Sequence, residues 1–248
     1  MSSTSNTVQN GQPSHSLWST VAPYVVPPVA AAAAIVPVFQ DLIAKSALQK
    51  GESVPAISVI EGVRKGFKAA PTVGAIVGTQ MILQSFVEKT LVKDEADKSS
   101  LPSKLASSAV VGTISAPILA VFNGQTMGWS LRESLRRFSA KQGLAIALQE
   151  TAFVGGLSAA DLLATEMKQK FGDNKVVECT AAFTAGAAGS LAGHPANTSL
   201  TRWQNGLTVD SLRQSMWGAA RKARAAGCFS IFYKFGKDAL NDSVGSSK

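Results

Sequence analysis

With 248 residues, the chain can hold one large domain or two small ones. Only 16% of it is charged, against about 25% in an average soluble domain, while 46% is hydrophobic; an ordinary soluble enzyme fits this poorly and a membrane protein fits it well. The net charge of +8 comes from lysines and arginines between apolar runs, with no stripe of cations and aromatics, so no nucleic-acid partner is expected and an anionic lipid bilayer is. The mean hydropathy is only +0.14, which suits helices that also face a polar interior; a soluble alanine-rich helical protein is the competing class. Cys179 and Cys228 read as small apolar residues of helices, and no metal spacing, phosphate loop or nucleophile–base pair is present. Neither a cofactor nor catalysis is expected.

Residues 1–18 form a polar tail with neither the arginines of a mitochondrial presequence nor the apolar core of a secretory signal, so targeting information is expected to be internal. The tail buries too little to fold alone and is expected to order on a partner surface. The first apolar segment runs to Gln40. Pro23, Pro27 and Pro28 are expected to delay its helix, Val29–Val36 is alanine-rich, and Pro37 precedes a foot with Asp41, Lys45 and Gln49. A polar, basic stretch to Lys68 leads into 69–87, an uncharged segment closed by Phe86, Glu88 and Lys89. After a mixed-charge linker, 105–131 is uncharged with Pro117 at its middle. A basic loop follows, then 143–167, an apolar segment holding Glu150.

The fifth segment carries the clearest pattern. Between Cys179 and Thr201 there are 23 uncharged positions, enough for one helix across a bilayer core of about 30 Å. Gly186, Gly189 and Gly193 make a thin face for close helix packing, Pro195 kinks it, and Asn197, Arg202 and Gln204 form a polar foot. The sixth segment follows Gly206 and contains Arg221, Lys222 and Arg224; if it spans, those cations must face a cavity rather than lipid. Trp18, Trp129, Trp203 and Trp217 stand near segment ends, as in an interfacial belt. His194 reads as a packing or capping residue.

A repeat underlies these segments. Pro37, Pro117 and Pro195 stand 80 and 78 residues apart, and Glu88 and Glu166 stand 78 apart, with Lys234 at the third position. Three helical hairpins that bury one another's faces follow from that period. The predicted fold is an all-α membrane protein: six transmembrane helices in three pseudo-threefold repeats (19–92, 103–171 and 178–242) within one membrane domain, 19–243, and a short C-terminal tail, 244–248. Lysine and arginine are slightly more numerous after the first, third and fifth segments, which orients the bundle.

With three such repeats the chain resembles the mitochondrial carrier family, whose motif runs Pro, any residue, acid, two spacers, base, any, base, any, Gln. P-A-N-T-S-L-T-R-W-Q matches it at Pro195, Arg202 and Gln204, and M-W-G-A-A-R-K-A-R-A-A-G-C-F-S-I-F-Y-K resembles the family's later pattern of glycine, cations, small residues and aromatics. The resemblance implies a mitochondrial inner-membrane location, a central solute site near Glu150, Arg221, Lys222 and Arg224, and Arg202 and Gln204 as a brace on the closed side. An ion pair that plugs the cavity is the other reading of those central charges.

Departures from the family define the functional expectation. Where its acids and bases pair to close one side, this chain has Phe39, Leu42, Leu119, Phe122, Asn197 and Leu200; sliding the first repeat to match Gln49 restores only Lys45. The opposite gate survives in part, at Glu88 and Lys89 and at Glu166 and Lys170, with Lys234 where the third acid is expected. The third repeat is short, 39 residues from Pro195 to Lys234 against 51 and 49 in the others, so its connection is expected to lack a full surface helix. A carrier cycle needs two closed states of similar free energy, and a bias of about 3 kcal/mol leaves the minor state below roughly 1%. These features predict a structural accessory subunit joined to other inner-membrane protein subunits. A solute carrier exchanging a small anionic metabolite is the alternative.

Overall fold

The computed structural model describes residues 17–91, 100–172 and 174–245, and every regular element among them is helical. The N-terminal residues 1–16 and the linker 92–99 lie outside the described residues, and so do the side chains of Trp18 and Glu88. The helices are α1 (Leu17–Lys50), α2 (Val59–Leu91), α3 (Leu101–Thr126), α4 (Leu131–Arg136), α5 (Ala140–Phe171), α6 (Lys175–Ala192), α7 (His194–Gln204), α8 (Leu212–Ser215) and α9 (Ala219–Gly245). Side-chain caps set several starts: Ser100, Ser130, Ser139, Asn174 and Ser211 each accept a hydrogen bond from a backbone N–H of the first turn. Glycines with positive φ stand just beyond three ends, at Gly51, Gly172 and Gly206.

Helix α1 runs through Pro23, Pro27 and Pro28 instead of starting after them. Proline's fixed φ is compatible with helix, and the lost hydrogen bonds are a local cost that a long helix absorbs by bending. The three repeat prolines act differently. Pro37 and Pro117 lie inside unbroken helices, whereas the fifth segment breaks at Gly193, directly before His194 and Pro195, into α6 and α7.

Six elements close into a ring in chain order. Helix α1 packs on α2, α2 on α3, α3 on α5, α5 on α6, α6 on α9, and α9 back on α1. Helix α7 continues α6 and touches α1, α3 and α5 at one end of the bundle. Glycines permit the tightest crossings: a Cβ on Gly156 would lie 2.6 Å from the Gly189 Cα, and one on Gly66 would lie 2.6 Å from the Val36 carbonyl oxygen. The fifth-segment glycines are contact points too, with Gly186 against the Ala226 carbonyl and Gly193 against that of Gln149. The connections at the α7 end are short in all three repeats. Residues 51–58 contain no helix, α4 has six residues and α8 has four.

Polarity is arranged inside out relative to a water-soluble bundle. Ile82, Phe86, Ile114, Leu144, Leu148 and Val176 are exposed, while Lys45, Gln49, Asn123, Thr198, Thr201 and Gln204 are buried. Soluble proteins seldom bury a lysine, and polar groups inside a membrane bundle face its interior. Three helices, over Val21–Lys50, Val59–Val87 and Leu101–Thr126, are long and apolar enough to cross a membrane. Together these features mark an all-helical membrane protein.

Candidate functional site: the polar closure and the cavity above it

The foot of α1, the end of α3 and the whole of α7 meet at one end of the ring. Lys45 Nζ donates to Asn123 Oδ1 at 3.3 Å and to Asn197 Oδ1 at 3.1 Å. Gln49 Nε2 donates to Asn197 Oδ1 and to Thr198 Oγ1, and its Oε1 accepts from Thr201 Oγ1 at 2.8 Å. Asn123 Nδ2 donates to Thr201 Oγ1 and to Gln204 Oε1, while Gln204 Nε2 reaches the Ala120 carbonyl. The hydroxyls of Ser46 and Thr126 pair at 2.6 Å. Every partner except Lys45 is neutral, so this network closes one end of the bundle by hydrogen bonds rather than by ion pairs.

An apolar layer backs it. Phe39 and Leu200 are fully buried, and the rings of Phe39 and Phe122 approach to 6.3 Å between centroids. Leu42 and Phe122 pack against one core cluster, and Leu119 packs with Leu200 in a second. The six positions Phe39, Leu42, Leu119, Phe122, Asn197 and Leu200 are therefore packed apolar groups or, at Asn197, an amide.

Several sequence-identified residues brace the same end. Arg202 donates to the carbonyls of Gln49 and Thr208 and lies 5.6 Å from the Trp217 ring centroid. Lys141 stands over Trp203 and Arg137 over Trp129, so these three tryptophans carry a cation each. His194 is buried with Nε2 at 2.9 Å from the Trp217 carbonyl, tying the start of α7 to the turn before α9. In that turn Gly218, at φ +80°, presses its backbone against Lys45.

Above the closure the ring opens into a cavity of about 560 Å³ between α2, α3 and α5. Glu150 lies there, accepting from Gln80 Nε2 at 3.3 Å and from Gln149 Nε2 at 3.1 Å. Gln149 Oε1 in turn accepts from Asn197 Nδ2 at 2.8 Å. Lys45, Asn197, Gln149, Glu150 and Gln80 thus form one hydrogen-bonded line from the closed end to the cavity.

The three central cations separate. Lys222 turns inward and acts on Glu150 through space. Arg221 and Arg224 do not join it: both pair with Asp41, with Arg221 at 3.1 Å and Arg224 Nε at 2.8 Å from its carboxylate oxygens, and they clamp α9 to α1. At the far end Lys89, Glu166 and Lys170 are exposed, and no ion pair joins them among the described residues. Lys234 instead pairs with Glu178 and Asp238. The two cysteines are free and half-buried.

Sequence reasoning did not single out Asn123, Thr198, Thr201 or Gln149. A signal existed: Lys45, Asn123 and Thr201 stand 78 residues apart in turn and bond one another in the structure. Searching for polar residues at the repeat period, instead of at the family's motif offsets, finds them.

No known family model and no curated protein matches this chain.

Proposed function

We propose that this protein is a carrier-like six-helix bundle of the mitochondrial inner membrane, fixed in one closed arrangement and serving as a structural subunit of a larger membrane assembly. The observation that carries this reading is the closure itself. In an alternating-access protein the closing contacts must break each cycle. Here that means pulling apart at least eight side-chain hydrogen bonds and an apolar layer. Buried amides and hydroxyls left without partners cost about 1–3 kcal/mol each, so the open alternative is disfavoured well beyond a working bias.

The second reading is a solute carrier, and the cavity beside Glu150 favours it: a pocket of about 560 Å³ has the size of a small-metabolite site. Reconstitution separates the two. Purified protein in liposomes is expected to show no saturable exchange of labelled organic anions, amino acids or nucleotides, and the protein extracted from its native membrane in mild detergent is expected to migrate with other subunits. Saturable, competitor-sensitive uptake by the purified chain supports the carrier and overturns the scaffold.

A further inference from the structure

A second, smaller cavity of about 90 Å³ lies at the closed end, between the apolar layer and the polar network. Lys45 and Lys222 both line it, with Asn123, Thr126, Gln149 and Asn197 completing its polar wall. An ammonium has three protons. Lys45 uses two, on Asn123 and Asn197. Lys222 makes no side-chain hydrogen bond and no salt bridge among the described residues. Two lysines therefore face one small space from α1 and α9, and Lys222 acts electrostatically on Lys45.

The compensating charge falls short. Glu150 is the carboxylate that acts on Lys222, and no carboxylate acts on Lys45 among the described residues. Asp41, the nearest acid on α1, is taken up by Arg221 and Arg224. Two lysines, Lys45 buried and Lys222 half-buried, thus line this cavity with one carboxylate, that of Glu150, near them. Burying an unpaired charge is costly unless a counter-charge accompanies it.

We propose that this cavity binds a small monovalent anion between Lys45 and Lys222, as a structural counter-ion of the closed bundle. Its size sets the class. At about 30 Å³ per water molecule, the space admits roughly three waters. Chloride, bromide or acetate fits; a nucleotide or a tricarboxylate does not. The site differs from the larger cavity beside Glu150 and is independent of whether the bundle moves any solute. It makes the closed end responsive to the anion composition of the medium.

The test uses the full chain in detergent or nanodiscs. The thermal unfolding midpoint is followed as sodium chloride replaces sodium gluconate at a constant ionic strength of about 0.3 M, which holds general charge screening fixed. A saturable rise with chloride and with acetate is expected. Half-saturation is expected to move at least tenfold higher in Lys222→Met, and likewise in Lys45→Met. Chlorine-35 line broadening on the wild-type protein gives a measurement that needs no variant: acetate is expected to compete it away and gluconate is not. The proposal is overturned if the wild-type midpoint is the same in both salts, if Lys222→Met keeps the wild-type response, or if acetate leaves the chloride linewidth unchanged.

Discussion

At the scale of single residues, the molecule replaces charge by hydrogen bonding where three helix feet meet. Asn123 is the hub, since it accepts from Lys45 and donates to Thr201 and Gln204. Asn123→Leu is close in size but removes all three partners at once. It leaves a buried ammonium and a buried amide under-satisfied, and a loss of about 1–3 kcal/mol is expected, read as a lower thermal midpoint in detergent. Asp41→Asn is the instructive contrast. It removes the charge that holds Arg221 and Arg224, but both arginines are substantially exposed, so the expected loss stays within about 1 kcal/mol and shrinks with added salt. A larger effect for Asp41→Asn than for Asn123→Leu contradicts the assignment of the closure to the neutral network.

At the scale of helices, the apolar runs were legible and their ends were not. Segments 69–87 and 105–131 were bounded by where charge begins. Helix α2 nevertheless starts ten residues earlier, at Val59, because Glu61 and Lys65 pair along its surface and Gly66 lets its first turns press on α1. Charge marks where a helix leaves the apolar core; caps and contacts mark where it ends. The closure was half legible for a related reason. Arg202 and Gln204 could be found because they match a motif, whereas Asn123 and Thr201 match none and are defined only by the helices they face. Helix crossings make a sharp test. Gly155 and Gly156 are neighbours, yet a Cβ on Gly155 has 3.6 Å to Leu105 and one on Gly156 has 2.6 Å to the backbone of Gly189. Gly155→Ala is therefore expected to be tolerated. Gly156→Ala is expected to force α5 and α6 apart at a cost of about 1–3 kcal/mol, visible as a lower thermal midpoint or loss of the monodisperse peak in size-exclusion chromatography.

At the scale of the whole molecule, the ring gives helices beyond the three most apolar ones a way to cross the membrane. Among the described residues, only α1, α2 and α3 qualify by length and apolarity alone. Helices α5 and α9 carry charge, but the ring gives that charge an inner side. Helix α5 points Leu144 and Leu148 outward while Gln149 and Glu150 turn inward, and α9 sends Lys222 to the same interior. A helix packed on both flanks needs only its outward face to be apolar, so average hydropathy understates its fitness to span. Six spans place the connections after Lys50, Thr126 and Gln204 on one side, and the ends of α2 and α5 on the other. Three spans place everything after α3 on a single side. Single cysteines at Ser53, Leu207, Thr90 and Phe171, all exposed positions, in a background with Cys179 and Cys228 replaced by serine, distinguish the two arrangements. With an impermeant maleimide, Ser53 and Leu207 are expected to label from one side and Thr90 and Phe171 from the other. Phe171 is the deciding position, because it follows Thr90 if α5 spans and follows Ser53 if it does not. Lys50, Lys65, Arg132, Arg136 and Arg213 lie at or near the connections of the closed end, so the excess of cations orients that end inward, toward the matrix under the proposed location. Labelling of Phe171 together with Ser53 leaves the ring intact as a fold but removes three of its helices from the bilayer, and with them the carrier-like reading.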